Sequence, residues 1–157
     1  KRQVQNFAVQ QNLRFNAKIK RVILDGSIGA RYWHATSERK NFQTINSFDV
    51  TYGLNAQISI PAGFAFNTDC KLYQREGYSD ASMNDLRFVA NARLEKTFLR
   101  GRLGVALDGY DIFGGLSNVT KVINAQGIVE TWYNSLPSYA MLQISYKLSK
   151  PPKKKNQ

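Results

Sequence analysis

The feature that most limits what this chain can fold into is a strict alternation of apolar and polar side chains, repeated along most of its length. Seven segments carry the pattern, at about residues 4–19, 22–34, 46–60, 63–75, 84–98, from 101 onward, and 138–148. Because successive side chains of a β-strand point to opposite faces, each segment is predicted to be a strand with one apolar and one polar face. Helical periodicity is nearly absent, so the chain is predicted to be all-β and antiparallel.

Two architectures bury or cover such a half-apolar strand: a soluble sandwich and a membrane barrel. Many of the segments exceed ~10 residues, whereas strands of soluble proteins usually run to ~5–6. The connections also alternate in length, with short ones at 20–21, 61–63 and 99–100, and long polar ones at about 35–45, 76–83 and 113–136. Short turns at one end and long loops at the other are typical of membrane barrels. The sequence therefore predicts about seven strands of a transmembrane antiparallel β-barrel.

In this interpretation the apolar strand faces contact lipid. The residues predicted to do so most clearly are Phe15, Leu54, Phe64, Phe66, Phe88, Leu103, Val105 and Leu107. Aromatic residues near strand ends are predicted to form girdles at the membrane interfaces; these are Tyr32, Trp33, Tyr73, Phe98, Tyr110, Tyr139 and Tyr146. Mean hydropathy is −0.41, and no run approaches the ~18 apolar residues of a membrane-spanning helix.

The longest connection contains a pattern of its own. Two strand-like stretches, 119–123 and 128–132, flank the turn-forming sequence Asn124, Ala125, Gln126 and Gly127. This arrangement predicts a β-hairpin that continues the last two strands beyond the membrane.

The formal net charge is +11, and its distribution matters more than its size. Basic residues gather at the end with the short turns: Lys18, Lys20, Arg21, Lys96, Arg100, Arg102, Lys147 and Lys150, with Glu95 as the one acidic neighbour. Such a rim suits anionic lipid headgroups, at roughly 1 kcal/mol per charge. An RNA-binding sheet would place aromatic and basic residues on one face, whereas these aromatics alternate with Leu, Val and Ile, so nucleic acid is not an expected partner. Residues 1–149 are assigned to the barrel and 150–157 to a basic, disordered tail.

Catalytic and metal-binding patterns are weak, so neither an enzyme nor a cofactor is predicted. His34 and Cys70 are each the single residue of their type and are interpreted as ordinary strand-end and strand residues. Asp108 and Asp111 are predicted to cap a loop in preference to binding an ion. The best ligand candidates are aromatic residues near the loops, which could stack on flat ligand surfaces or simply pack the loops; they are Trp33, Tyr78, Tyr110, Trp132 and Tyr133.

The run from Leu136 to Leu148 resembles the terminal strand of outer-membrane barrels of the TonB-dependent receptor type. The order of what precedes it is also similar: a strand from Asn84 to Leu99, a turn, the stretch 103–107, then Asp111-Ile112-Phe113 and a long loop. The resemblance implies a barrel of about 22 strands in the bacterial outer membrane with an N-terminal plug. It also implies TonB-driven import of a bulky nutrient, with the missing strands, the plug and the TonB system as partners.

The last strand resembles the signal that the barrel-assembly machinery reads, which needs pairable backbone and an apolar stripe. The stripe consists of Ala140, Leu142, Ile144, Tyr146 and Leu148. The family pattern usually closes on a C-terminal aromatic residue, whereas here it closes on Leu148.

Seven strands fall short of the ~8 of the smallest closed barrel, and the chain lacks an initiator Met. We therefore expect the closing third of a longer protein. Two alternatives stay open: a structural barrel or barrel fragment held by the assembly machinery, and a soluble basic β-domain.

Overall fold

The computed structural model describes residues 4–38, 44–117, 119–124, 127–134, 136 and 138–148. These residues form nine strands and three short 3-10 turns, at 61–63, 81–83 and 99–101. The strands are β1 Val4–Ile19, β2 Val22–Ser37, β3 Ile45–Ile60, β4 Phe64–Glu76, β5 Asp85–Phe98, β6 Leu103–Tyr110, β7 Val119–Asn124, β8 Gly127–Trp132 and β9 Tyr139–Tyr146. Within the described residues no helix is long and apolar enough to cross a membrane. The predicted all-β antiparallel class is confirmed.

Seven strands form one antiparallel sheet in the order β1-β2-β3-β4-β5-β6-β9, and β7 and β8 form a separate hairpin. The seven predicted segments correspond to the seven strands of the large sheet, with shifts at their ends. β2 continues to Ser37, and β9 ends at Tyr146, so Leu148 lies beyond the strand. In the described part of the chain β1 and β9 do not pair with each other, so the sheet is open.

The register places all apolar stripes on one face of the sheet. Phe15 lies opposite Gly26, which lies opposite Leu54, and the same row continues through Cys70 to Ala90. The other predicted lipid-facing residues share this face by their pairing: Phe64, Phe66, Phe88, Leu103, Val105 and Leu107. Phe15 is 58% exposed and Leu107 is 52% exposed. Large side chains exposed over a whole sheet face require an apolar surrounding.

The opposite face is polar and concave. One concavity of this face, of about 420 Å³, is lined mainly by polar side chains, including Asp25, Asn55, Asp69 and Asn91. Because strand twist and curvature close a barrel around its concave side, the polar face is the one that would enclose a lumen.

The two ends of the sheet differ as predicted. At one end the strands are joined by turns of a few residues, in which Lys20, Ala62, Leu99 and Arg100 adopt positive φ values between 50° and 65°. Such left-handed conformations reverse the chain tightly. At the other end the connections are longer, and we call the two ends the short-turn end and the loop end.

One loop prediction is wrong in its placement. The hairpin at 119–132 forms, but as a separate sheet and not as a continuation of β6 and β9. The physical reason lies at Asp111, which follows β6 with φ +45° and turns the chain back along β5, where the Ile112 amide donates to the Ala90 carbonyl at 2.9 Å. Two residues of the predicted hairpin turn, Ala125 and Gln126, lie outside the described residues.

Candidate functional site on the polar face

A row of alternating charges crosses the polar face near the loop end. Arg31 pairs with Asp49, Asp49 with Arg75, and Arg75 with Asp85 in consecutive strand registers. Arg75 Nε lies 3.3 Å from Asp49 Oδ1. Opposite charges on facing strands stabilise a sheet by roughly 0.2–1 kcal/mol per pair. Within the described residues Arg75–Asp49 is the ion pair of this row, since Asp85 pairs instead with Arg87 on its own strand. The row therefore forms a surface of mixed charge.

Tyr78 anchors the loop between β4 and β5 onto this row. Its hydroxyl donates to both carboxylate oxygens of Asp49 at 2.9 Å, and the Arg75 guanidinium lies 4.6 Å from its ring centroid. Asn84 closes the loop, since its side chain bonds both the amide and the carbonyl of Tyr78 at 2.9 Å. The ring is only 6% exposed, so Tyr78, predicted as a ligand contact, is covered by its own loop.

Other aromatic residues on the polar face also contact arginines or one another. Arg31 lies 5.5 Å from the Trp33 ring, and Arg87 lies 5.7 Å from the Tyr73 ring. Tyr110 stacks on Tyr139, which lies opposite it in the register, with a centroid distance of 4.7 Å.

This arrangement corrects part of the predicted aromatic girdle. Tyr32, Phe98 and Tyr146 lie on the apolar face, where a girdle residue belongs. The remaining four lie on the polar face, where they cannot contact lipid headgroups: Trp33, Tyr73, Tyr110 and Tyr139.

The last two ligand candidates lie on the hairpin side. Trp132 is 74% exposed and Tyr133 is 56% exposed. Among the described residues no ring-to-ring contact joins any two of the five predicted candidates. The aromatic set is therefore dispersed, with Trp33 and Tyr110 on the wall and Trp132 and Tyr133 at the loop end.

A polar cluster that the sequence analysis did not single out lies lower on the same face. Arg93 Nη1 donates to both oxygens of Asp108, at 3.0 and 3.1 Å, and to Gln143 Oε1 at 3.1 Å. Asp108 is 4% exposed. It was predicted to cap a loop, and instead it forms a charge-assisted pair within the sheet. In the neighbouring row Asn91 Nδ2 donates to Asp69 Oδ2 at 2.9 Å.

Asp111 does cap a loop, as predicted. Its carboxylate accepts the Gly115 amide at 2.7 Å and the Leu116 amide at 3.1 Å, and its own amide donates to Asn91 Oδ1 at 2.8 Å. Asp111 is 4% exposed. The carboxylate thus closes a turn within segment 111–116, while the amides of Asp111 and Ile112 attach the segment to β5.

The hairpin β7–β8 is attached to the β4–β5 loop by polar contacts. Arg75 Nη1 donates to the Lys121 carbonyl at 3.3 Å, and Lys121 Nζ donates to Ser82 Oγ at 2.9 Å. The ion pair with Glu130 raises the pKa of Lys121. Hydrogen bonds from the Ser82 hydroxyl and amide lower the pKa of Asp80. Since Arg75 lies on the polar face, the hairpin lies over that side of the wall at the loop end.

The two single residues of their type sit on the apolar face. His34 Nδ1 lies 2.6 Å from Asn46 Oδ1 near the loop end, and Cys70 lies in mid-strand between Leu54 and Ala90. Within the described residues no group of three or more His, Cys, Asp or Glu side chains could hold a metal ion.

An open antiparallel sheet with an exposed apolar face and a polar concave face defines a strand set of a transmembrane β-barrel. The chain belongs to the outer membrane protein beta-barrel family, whose model matches residues 2–146. The protein is thus located in the bacterial outer membrane. In a closed barrel of this family, its concave polar face is the one that would enclose the lumen. A search of curated proteins and a search of solved structures returned no match.

Proposed function

We propose that this chain is the C-terminal part of the barrel of a TonB-dependent importer, which moves a bulky nutrient across the outer membrane. The observation that carries the proposal is the openness of the sheet: seven strands curve without β1 meeting β9. In barrels of ~8 strands the interior is just wide enough to be filled by side chains, whereas barrels of about 22 strands hold a plugged lumen.

The pairing of the luminal side chains supports a wide barrel. Arg75 pairs with Asp49 on the adjacent strand, and Asn91 with Asp69 likewise. Arg93 bonds Asp108 on the next strand and reaches only as far as Gln143, one strand further. These side chains bond to partners on neighbouring strands and not across the lumen. The space in front of them is therefore left for a plug, a substrate or water.

The import proposal is tested through its energy source, because the substrate is unidentified. The intact protein in detergent micelles is passed over the immobilised periplasmic domain of TonB, and binding is followed by surface plasmon resonance. We expect saturable binding in the range of a receptor of known TonB dependence, measured in parallel. A complete lack of binding beside a binding control overturns the proposal and favours a structural barrel.

We further propose that β9 is the strand that the barrel-assembly machinery reads. Its eight residues are exposed, and one of its edges has no partner strand in the described part of the chain. Ala140, Leu142, Ile144 and Tyr146 form the apolar stripe. An unpaired edge offers its backbone groups to a receiving strand.

The assembly proposal is tested by cross-linking nascent protein to the machinery in cells, from a photoreactive residue placed at Met141. Ile144→Asp, on the apolar face, should lower the cross-link yield several-fold, because it interrupts the stripe. Ser145→Asp, its neighbour on the luminal face, is the matched control and should leave the yield unchanged. Equal yields from the two variants would rule out a role for the stripe.

A further inference from the structure

One lysine emerges on the lipid-facing side of the wall. Lys96 pairs with Phe64 on one neighbouring strand and with Val105 on the other, so its side chain shares their face. It lies two residues before Phe98, where β5 ends at the short-turn end. A lysine at this depth extends its ammonium towards the headgroup layer.

The ammonium of Lys96 is held by two aromatic rings. Its Nζ lies 3.9 Å from the centroid of Phe64 and 5.1 Å from that of Phe98. Cation–π contacts stabilise the position of such a cation, yet they leave its charge uncompensated. Within the described residues no carboxylate pairs with Lys96, and the adjacent Glu95 points to the lumen, where it lies 3.4 Å from Arg93.

One further cation, Arg100, lies on the short turn that follows β5. It is exposed and forms no ion pair within the described part of the chain. Lys20 and Arg21, on the turn between β1 and β2, line a concavity with Gln57, Ser59 and Asn67 of the luminal face and so belong to the inner side. Lys96 is therefore the cation that two rings position on the lipid-facing side of β5.

We propose that Lys96, positioned by Phe64 and Phe98 and assisted by Arg100, binds the phosphate of an anionic glycerophospholipid in the leaflet at the short-turn end. The ammonium supplies charge at the depth of the phosphate, and the apolar face below it receives the acyl chains. A free anion lacks those chains, which is why the site selects a lipid. The proposal rests on membership of an outer-membrane barrel family and stands whether or not the protein imports a nutrient.

Native mass spectrometry of the intact protein, titrated with phosphatidylglycerol or phosphatidylcholine, tests the site. We expect tighter binding of phosphatidylglycerol, and we expect Lys96→Gln to weaken it about five-fold, the change that corresponds to about 1 kcal/mol per interfacial charge. Lys71→Gln is the matched control, because Lys71 lies on the luminal face and its loss should leave binding unchanged. Equal binding by wild type and Lys96→Gln, or equal affinity for both lipids, overturns the proposal.

Two further measurements distinguish a specific lipid site from non-specific electrostatic binding of anions. Phe64→Leu keeps the lysine and removes one ring; it should weaken phosphatidylglycerol binding about two-fold or more, since a cation–π contact is lost. This variant also serves if Lys96→Gln fails to fold, as judged by gel mobility with and without heating. Millimolar inorganic phosphate should not displace the lipid, and displacement would identify a small-anion site and overturn the lipid assignment.

Discussion

A single carboxylate, that of Asp111, decides the path of the chain where β6 ends. The segment after it is irregular, yet Ile112 contacts the position of Gly109, and the Phe113 ring lies 5.4 Å from that of Phe88, both on the lipid-facing side. Irregular backbone at the wall of a membrane barrel must have its amides satisfied by protein groups. Asp111 supplies the acceptors for Gly115 and Leu116.

Asp111→Ala should therefore destabilise the folded barrel by about 1–3 kcal/mol, because two partly buried backbone amides lose their acceptor. Asp111→Asn should cost less, since Asn keeps one acceptor oxygen and tolerates the positive φ. Guanidinium unfolding in phospholipid vesicles measures both. Asp85→Asn is the control; its half-exposed pair with Arg87 predicts a change below about 1 kcal/mol. Equal effects of Asp111→Ala and Asp85→Asn would contradict this role.

On the apolar face, the position of the Phe15 ring depends on the absence of a side chain at Gly26. The Phe15 ring covers Gly26 so closely that a Cβ at Gly26 would overlap it. Gly26→Ala should thus displace the exposed ring and destabilise the barrel by about 1 kcal/mol, the lower end of the cost of overpacking. In combination with Phe15→Ala the effect of Gly26→Ala should largely vanish, because the obstructing ring is gone. A double-mutant cycle by chemical unfolding gives the coupling, and strict additivity would refute the contact.

At the residue scale, sequence predicted the face of a side chain well wherever parity within the strand was counted. Phe88 and Val105 lie where the alternation placed them. The girdle prediction used proximity to a strand end instead, and it was wrong for Trp33 and Tyr73 because proximity carries no information about the face. The Arg93–Asp108 pair was missed, since two residues 15 apart meet only once the register of β5 and β6 is known.

At the scale of elements, the loop between β4 and β5 is ordered by its own polar groups. Asp80 accepts the Ser82 amide at 2.9 Å and the Ser82 hydroxyl at 2.7 Å, which forms the turn at 81–83. Lys121 of β7 reaches the same hydroxyl. The turn therefore joins the loop to the hairpin.

The lowered pKa of Asp80 predicts how this turn responds to acid. A carboxyl group whose folded pKa lies below its unfolded value stabilises the fold above the unfolded pKa, and that contribution is lost as pH falls through the folded pKa. Carbon-13 NMR of the Asp80 carboxyl should give a midpoint below the ordinary 3.8. Ser82→Ala removes the hydroxyl bond and should move the midpoint back towards 3.8. An unchanged midpoint in Ser82→Ala would show that the hydroxyl is not the cause.

The hairpin itself was predictable from its local pattern, whereas its position was not. Residues 119–123 and 128–132 alternate around a turn sequence, and they pair as expected. Its attachment depends on a bond from Arg75 to the Lys121 carbonyl, between residues 46 positions apart. Local periodicity carries no such long-range information. The sequence therefore predicted, wrongly, that the hairpin continues β6 and β9.

For the whole molecule, the orientation of the two sheet faces is directly measurable. Spin labels placed singly at Leu54, Val105 and Ile144 should be relaxed by lipid-soluble oxygen and shielded from a water-soluble nickel complex. Labels at the luminal neighbours Asn55 and Gln143 should show the reverse, because they face water. Shielding of the first set from oxygen would mean that a second protein layer, and not lipid, covers the apolar face.

The strands of the sheet differ two-fold in length, from 16 residues in β1, β2 and β3 to eight in β6 and β9. The short strands lack their residues at the loop end, since β5 begins at Asp85 but pairs with β6 only from Ala92. At about 3.3 Å per residue and a tilt near 40°, these strands rise about 40 and about 20 Å, against an apolar band of about 25 Å. The rim of the described sheet at the loop end is therefore oblique, high at β1 to β3 and low at β6 and β9. From this end the shortest path to the luminal face runs over the low side, beside which segment 111–117 and the hairpin lie.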